Sequence, residues 1–589
     1  MSSKTKDSSA SAGKSDKKKL APWAFWPPLI FIVILCVWVV SSPAAAGVAL
    51  ASAFTFVTTQ LAWYFQLIFL AVVALLIFLC VSPIGKKRFG SEKPEYSKFS
   101  WIGMIFTASA GFGMLTWTSI EWFYYAQTPT WGIEPFSAEA MEWASLYPLF
   151  HWGPVAFGIY ILLGVVVGYL MYCKKVTDVR PSTACTEVIG EKRAKGGLGK
   201  LFDAIFAIGL LCAVVTCVGV NVPTLFGIIS RVFGGEPSFA AESGVILAWS
   251  ALMAVLLYMG LKKGLKFFSD FRVWLGFGIL AFLLIFGPTA TMLNGFVDSV
   301  GMFIQYAPRL FLNTDPFAQS GTPQNWTVFY WCWYLVCALQ TAIFYAKISR
   351  GRSVREFIIG ALIGSVVGSW LFFMIFQSYC MNIFISNPVD VAGVLKASGQ
   401  GAAIMSLWDY FPFIQFLYPV LMIYGFVSMQ TLLNGQCYSM AMVTTKDLRE
   451  DEEPPVWMRI FWSLGIGAVS ICLLLIGGIT PAQTVSIVTA VPMSVVLIIM
   501  VVGFFKELRR TGWVVDGKAE PVFDTPIESE NEDAAETDDI PVSDAAVATV
   551  ANPLPLNEAP SACKVSPTSA VSFNGNVSID NNRVAVAEP

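Results

Sequence analysis

The feature that most constrains this chain is a succession of apolar runs, each about 20 residues long, between residues 26 and 505. A helix rises ~1.5 Å per residue, so ~20 apolar residues match the ~30 Å hydrocarbon core of a bilayer. Twelve such runs follow one another: Trp26–Pro43, Leu61–Val81, Trp101–Ala126, Ala144–Tyr172, Leu201–Val232, Val245–Leu261, Phe271–Asn294, Trp326–Lys347, Phe357–Ile383, Ile414–Thr444, Val456–Ile476 and Pro481–Phe505. Lipid offers no partner to an unpaired backbone group, so a chain with this pattern is an all-α membrane protein. Several runs exceed 25 residues, which predicts tilted or broken helices rather than straight crossings. The first run is too aromatic for a cleavable leader, and Ser41-Ser42-Pro43-Ala44 leads into further apolar chain.

Composition narrows the function. Charged residues make up 13% of the chain, about half the share in a soluble protein, which excludes a cytosolic globular enzyme. A net charge of −2 gives no field for nucleic acid. The single histidine, His151, excludes a histidine-dyad hydrolase and a multi-histidine metal site. Twelve scattered cysteines without a Cys-x-x-Cys pair support neither a disulfide framework nor zinc. A membrane-embedded enzyme needs acid/base groups or metal ligands at depth, and only Glu121 and Asp409 stand out. Channels usually assemble fewer spans per subunit. No cofactor is implied, and transport is the class that fits.

The basic residues orient the chain. With the amino terminus and its six lysines in the cytoplasm, Lys86-Lys87-Arg88, Lys174-Lys175, Lys262-Lys263 and Arg350/Arg352/Arg355 all fall on the inner side. Arg231, Arg309 and Lys396 fall outside, and Lys518, Lys564 and Arg583 lie in the tail, which leaves 32 of the 38 Lys and Arg inside. That asymmetry predicts both termini cytoplasmic in a multi-pass protein of the cell membrane. Residues 1–25 read as a basic tail and 26–510 as the membrane domain. Val300–Phe311 is amphipathic and expected to lie on the outer surface. Residues 511–589, with acidic clusters around Glu528–Asp539, read as a disordered tail.

Two features inside the spans suggest a ligand site. Span three contains Thr107-Ala-Ser-Ala-Gly-Phe-Gly113, six small residues in seven. Such a stretch either unwinds beside a cavity, presenting Ser109, Ala110, Gly111 and Gly113 to a ligand, or packs closely against another helix. Aromatic residues are the second feature: Trp117 and Glu121-Trp-Phe-Tyr-Tyr125, His151-Trp152 through Phe157 and Tyr160, and Phe329-Tyr-Trp-Cys-Trp-Tyr334. Ring faces attract a quaternary ammonium, which has no proton to donate, by about 0.5–2 kcal/mol each. The alternative is the aromatic belt at the lipid headgroups. Trp152 and Phe157 are five apart and share no helical stripe, so span four alone does not decide between them.

Trp326-Thr-Val-Phe-Tyr-Trp-Cys-Trp-Tyr334, followed by Ala346-Lys-Ile-Ser-Arg-Gly-Arg-Ser-Val-Arg-Glu356, resembles the signature of the betaine/carnitine/choline transporter family. The resemblance runs from about Pro27 to Arg510 and includes Phe150-His-Trp-Gly-Pro154, Asp298-Ser-Val-Gly-Met302, Thr314-Asp-Pro316 and Glu453-Pro-Pro455. Ser269-Asp-Phe-Arg272 and the Asp298–Glu356 stretch are most similar to the sodium-independent carnitine/γ-butyrobetaine antiporters. The resemblance implies a LeuT-like fold with two inverted five-helix repeats, here about 101–294 and 326–505, and substrate near the midplane. It also implies a homotrimer in contact through the surface helix. By motif position it assigns a substrate cage to Tyr124, Trp152, Phe157, Tyr160 and Tyr334, with Trp333 on the route.

The departures are specific. Phe157 and Tyr334 stand where the antiporters carry Trp, which weakens the cation–π contribution. The antiporter run of an aromatic, Gln and a substrate-contacting Met reads Leu339-Gln340-Thr341 here, keeping the amide and replacing the thioether by a hydroxyl. The same charged headgroup with a different or broader substrate body is therefore expected. The antiporters also carry Arg at the position of Arg272, where a guanidinium occupies the place of a sodium ion; its alternative is a positive-inside anchor. Thr431-Leu432 supplies one hydroxyl where sodium-coupled relatives have two. The expectation is exchange of one quaternary-ammonium solute for another without ion or ATP; the alternatives are a sodium-coupled betaine or choline symporter and a non-transporting receptor. Glu121 is expected to pair within the bundle, neutralise the site or assist gating. The acidic tail does not support the osmosensing basic helix of some relatives.

Overall fold

A computed structural model describes residues 20–522, apart from residues 110, 237, 259–261, 447–452, 478 and 516. Lys4 to Lys19 and the acidic stretch Glu528–Asp539 lie outside the described residues.

The chain opens with α1 (Pro22–Ser41), α2 (Pro43–Gln60) and α3 (Ala62–Val81). Ser42 separates the first two at φ −151°, as the ring of the following proline disfavours a helical predecessor. Span three is the pair α4 (Lys98–Ser109) and α5 (Phe112–Gln127), which meet at a 58° bend. Span four is α6 (Ala138–His151) and α7 (Pro154–Gly168), interrupted at Trp152-Gly153. Next come α8 (Gly197–Phe233), α9 (Phe239–Tyr258), α10 (Lys262–Phe286) and α11 (Thr289–Phe311). The second half begins with α12 (Phe329–Lys347) and α13 (Val354–Phe372). A wide π-helical turn, Phe373–Gln377, carries α13 into α14 (Ser378–Ser386). The last helices are α15 (Val391–Trp408), α16 (Ile414–Val443), α17 (Val456–Leu474) and α18 (Thr480–Thr511). Among the described residues, ten helices are long and apolar enough to cross a membrane, and the two bent pairs raise the number to as many as twelve. Each expected run corresponds to one of them.

Four details differ from the sequence reading. The helix that contains Val300–Phe311 begins at Thr289, eleven residues before Val300, because Gly287-Pro288 ends α10 and the chain turns by 108°. Asn294 therefore belongs to α11 and not to α10. α2 is an additional helix whose Ala-, Ser- and Thr-rich sequence lowers its hydropathy; it packs along α18. α15 is also additional, capped by Asp390 on the Gly393 amide (2.8 Å) and broken at Gly399, whose φ of 80° suits glycine. After Arg510 the chain does not become irregular at once. Trp513–Val515 and Lys518–Glu520 form an antiparallel hairpin, and the buried Trp513 donates its indole N–H to the Arg88 carbonyl (3.0 Å).

The core is built on α12 packed against α7, with α8 crossing α16 and α18. α4 lies against a glycine stripe on α13. A Cβ at Gly360 would stand 2.2 Å from the Trp101 ring, one at Gly364 3.0 Å from Ile105, and one at Gly368 2.4 Å from the Ser109 hydroxyl. This is small-xxx-small packing, with the glycines contributed by α13. Charges collect at one end of the bundle, where Lys87 meets Glu520 (2.5 Å), Lys174 meets Glu507 (2.5 Å) and Arg350 meets Glu92. The other end holds the Arg231–Asp409 pair (2.6 Å), and Arg309 lies over the Trp131 ring (4.2 Å).

Candidate functional site

The interruption in span four builds the site. Gly153 is enforced by space: a Cβ there would lie 2.3 Å from the Leu149 carbonyl. Pro154 brings no N–H to continue α6 and begins α7 instead. The freed Trp152 carbonyl accepts from the Ser369 hydroxyl (2.7 Å). Released from the helical stripe, the Trp152 ring turns to α12, with centroids 5.5 Å from Tyr330, 6.3 Å from Trp333 and 6.1 Å from Tyr334. Phe373 closes another side at 6.2 Å. From α7, Phe157 and Tyr160, three apart and on one face, reach Tyr334 at 5.7 and 5.2 Å. Trp152, Phe157, Tyr160, Trp333 and Tyr334 thus form one ring cluster inside the protein. The aromatic belt does not describe them. The Tyr334 hydroxyl is buried and finds no hydrogen-bond partner among the described residues.

The other assigned residues lie around this cluster. Tyr124 stacks on Trp326 (4.7 Å), donates to Gln400 (3.3 Å) and connects to Trp333 through Trp326 and Trp117. It forms a second aromatic layer with Trp326. Gln340 is turned toward the basic end, where its amide donates to Ser439 (3.0 Å) and it lines a cavity of about 110 Å³ with Asp178, Arg180 and Lys347. Thr341 spends its hydroxyl on the Cys337 carbonyl of its own helix (3.1 Å).

Span three is broken, as one of the two sequence readings expects, while α13 supplies the close packing of the other. Gly111 is extended (φ −102°, ψ −179°), and a Cβ there would meet nothing within 4 Å. Ala110 lies outside the described residues. Gly113 faces the Asn221 amide, and Ser109 returns its hydroxyl to the Phe106 carbonyl (2.8 Å). The last carbonyls of a helix have no helical partner and carry partial negative charge. Arg272, buried on α10, donates to one of these at the end of α4, the Thr107 carbonyl (2.9 Å). The Thr431 hydroxyl is held by the Val427 carbonyl (2.8 Å).

A polar network behind Trp152 was not legible as a unit in the sequence. Glu121 is fully buried; one oxygen accepts from the Trp152 indole (3.0 Å) and the other from the Tyr125 hydroxyl (2.6 Å). His151 bridges Tyr125 (2.8 Å) to Thr327 (2.9 Å). The four-residue spacing of Glu121 and Tyr125 was a signal for part of it, whereas the bonds to span four depend on tertiary structure.

These features coincide with a family match. The family model described as BCCT, betaine/carnitine/choline family transporter, covers residues 23–512. The chain belongs to that family. BCCT proteins are membrane transporters and not enzymes, and they move betaine-, carnitine- or choline-type solutes by secondary transport. An all-α bundle with ten to twelve apolar helices is what such a transporter requires, and the LeuT-like fold is expected of the BCCT family. The ring cluster and the broken span lie within the matched residues.

Proposed function

We propose that this protein exchanges one quaternary-ammonium solute for another by alternating access, without sodium. The observation that carries the reading is the Arg272 guanidinium on the Thr107 carbonyl. A cation bound covalently to the chain occupies the electronegative end of α4 and cannot dissociate, so it cannot draw on a sodium gradient. Its cost at membrane depth is on the order of 3 kcal/mol, offset in part by that carbonyl. The single Thr431 hydroxyl, committed to its own helix, adds little for a hard ion that requires several oxygens.

The substrate headgroup sits among Trp152, Phe157, Tyr160 and Tyr334, with Trp333 beside them. Tyr124 belongs to the layer the substrate passes on the side away from the basic end, and Gln340 and Thr341 to the route on the basic side. The Tyr334 hydroxyl is available to a carboxylate or hydroxyl on the substrate body. The termini are cytoplasmic, since the described chain ends nearest them, Leu20 beside Thr445 and Trp513 beside Arg88, lie at the end of the bundle where the basic clusters gather. The transporting unit is a homotrimer in contact through α11, and each protomer alternates by moving one five-helix repeat against the other.

A substrate panel tests this reading. Carnitine, γ-butyrobetaine, glycine betaine, choline and a dimethylsulfonium analogue are expected to compete for one site and to be carried. Binding without flux indicates a receptor. Uptake that requires added sodium indicates a coupled symporter.

A further inference from the structure

Glu121 stands out among the buried charges. Among the described residues, the ion pairs give it one basic neighbour, His151, at 3.5 Å. The hydrogen bonds direct that neighbour's proton elsewhere. Tyr125 has one hydroxyl proton, and Glu121 accepts it. His151 Nδ1 must then donate to the Tyr125 oxygen and not to the carboxylate, while Nε2 pairs with the Thr327 hydroxyl. A buried carboxylate is costly unless it is compensated, and this one lies at the N–H edge of the ring at the centre of the cage.

We propose that Glu121 is the fixed counter-charge of the aromatic cage. Its bond to the indole N–H holds the Trp152 ring in place, and an anion accepting that proton pushes electron density onto the ring face that attracts the ammonium. The substrate cation in turn compensates the carboxylate across one ring. The inference rests on the cage reading above and deepens it by assigning a residue that selects positive charge as distinct from shape. It also accounts for the tolerance of Phe157 and Tyr334 where stronger cation–π donors stand in the antiporters: attraction comes from behind the cage as well as from its walls.

The test compares γ-butyrobetaine with its neutral isostere, in which a tert-butyl group replaces trimethylammonium, by equilibrium binding to the full-length protein in nanodiscs. Wild type is expected to prefer the cation. In Glu121→Gln the affinity for the cation falls by about tenfold or more, that for the isostere changes by less than about twofold, and Glu121→Asp recovers part of the preference. Thermal melting of each variant verifies folding. An equal loss for both ligands means that Glu121 only shapes the site, and an unchanged preference in Glu121→Gln means that it carries no selectivity; either result overturns the inference while the cage stands. Absence of any preference in wild type overturns the cage reading and this inference together.

Discussion

Two places in this bundle are built on opposite terms: one holds a buried positive charge, and the other is proposed to receive one. At the end of α4 the chain supplies the cation, Arg272, and meets it with the Thr107 carbonyl. Around Trp152 the chain supplies ring faces and one carboxylate behind them. A tethered guanidinium is permanent and stabilises one arrangement of α4 and α10. Rings accept any permanent cation of suitable size and release it again, because each contact is worth only about 0.5–2 kcal/mol. On the proposed function, Arg272 is a cation that organises the transporter, and the ring cluster receives one that is its cargo.

The largest effect is expected of Trp152→Ala, which removes the central ring and leaves Glu121 without its indole donor. Binding of a quaternary ammonium is expected to weaken by about a hundredfold or more. Retained affinity in a binding titration removes Trp152 from the cage. The next test acts on the other region through packing. Gly360→Ala drives a Cβ into the Trp101 ring on α4, so a loss of roughly 1–3 kcal/mol in stability is expected, read as a lower Tm. Gly111→Ala, with nothing near its Cβ, is expected to leave Tm unchanged. If the two variants melt alike, the account of α4 is wrong. Arg272→Ala is expected to lower sodium-free exchange by about tenfold or make it respond to sodium; if it does neither, Arg272 is a structural anchor. The smallest effect is expected of Phe157→Trp, which enlarges the ring facing the cargo. Affinity should rise about two- to threefold, and an unchanged or lower value places Phe157 outside the cage.

The twelve spans were legible because burial in lipid demands long apolar runs and allows few charges between them. The order of spans survived into the structure, but not every boundary. α2 and α15 were missed because small and hydroxyl-bearing residues lower hydropathy without preventing a helix. The hairpin after Arg510 depends on Trp513 finding a tertiary partner in the loop that carries Arg88, which no local pattern announces.

The site divided in the same way. Phe157 and Tyr160 were assigned through the resemblance, and in the structure they share a helical face. Trp152 was readable by motif, yet its direction is set by the Gly153-Pro154 interruption, which rotates it off the stripe that periodicity assumes. Glu121 showed itself as a rare intramembrane acid, but its partner Trp152, and the His151–Thr327 bond that extends the network, are distant in sequence. Gln340 lies adjacent to cage residues on α12 by motif, while its side chain faces Ser439 at the basic end.

The most direct measurement is counterflow of a labelled quaternary-ammonium solute in proteoliposomes, with sodium removed from both sides and unlabelled substrate loaded inside. The account predicts rapid accumulation of label that is unchanged on adding sodium and absent from empty vesicles. Accumulation that appears only with sodium contradicts it, because the Arg272 guanidinium would then not be standing in for the ion.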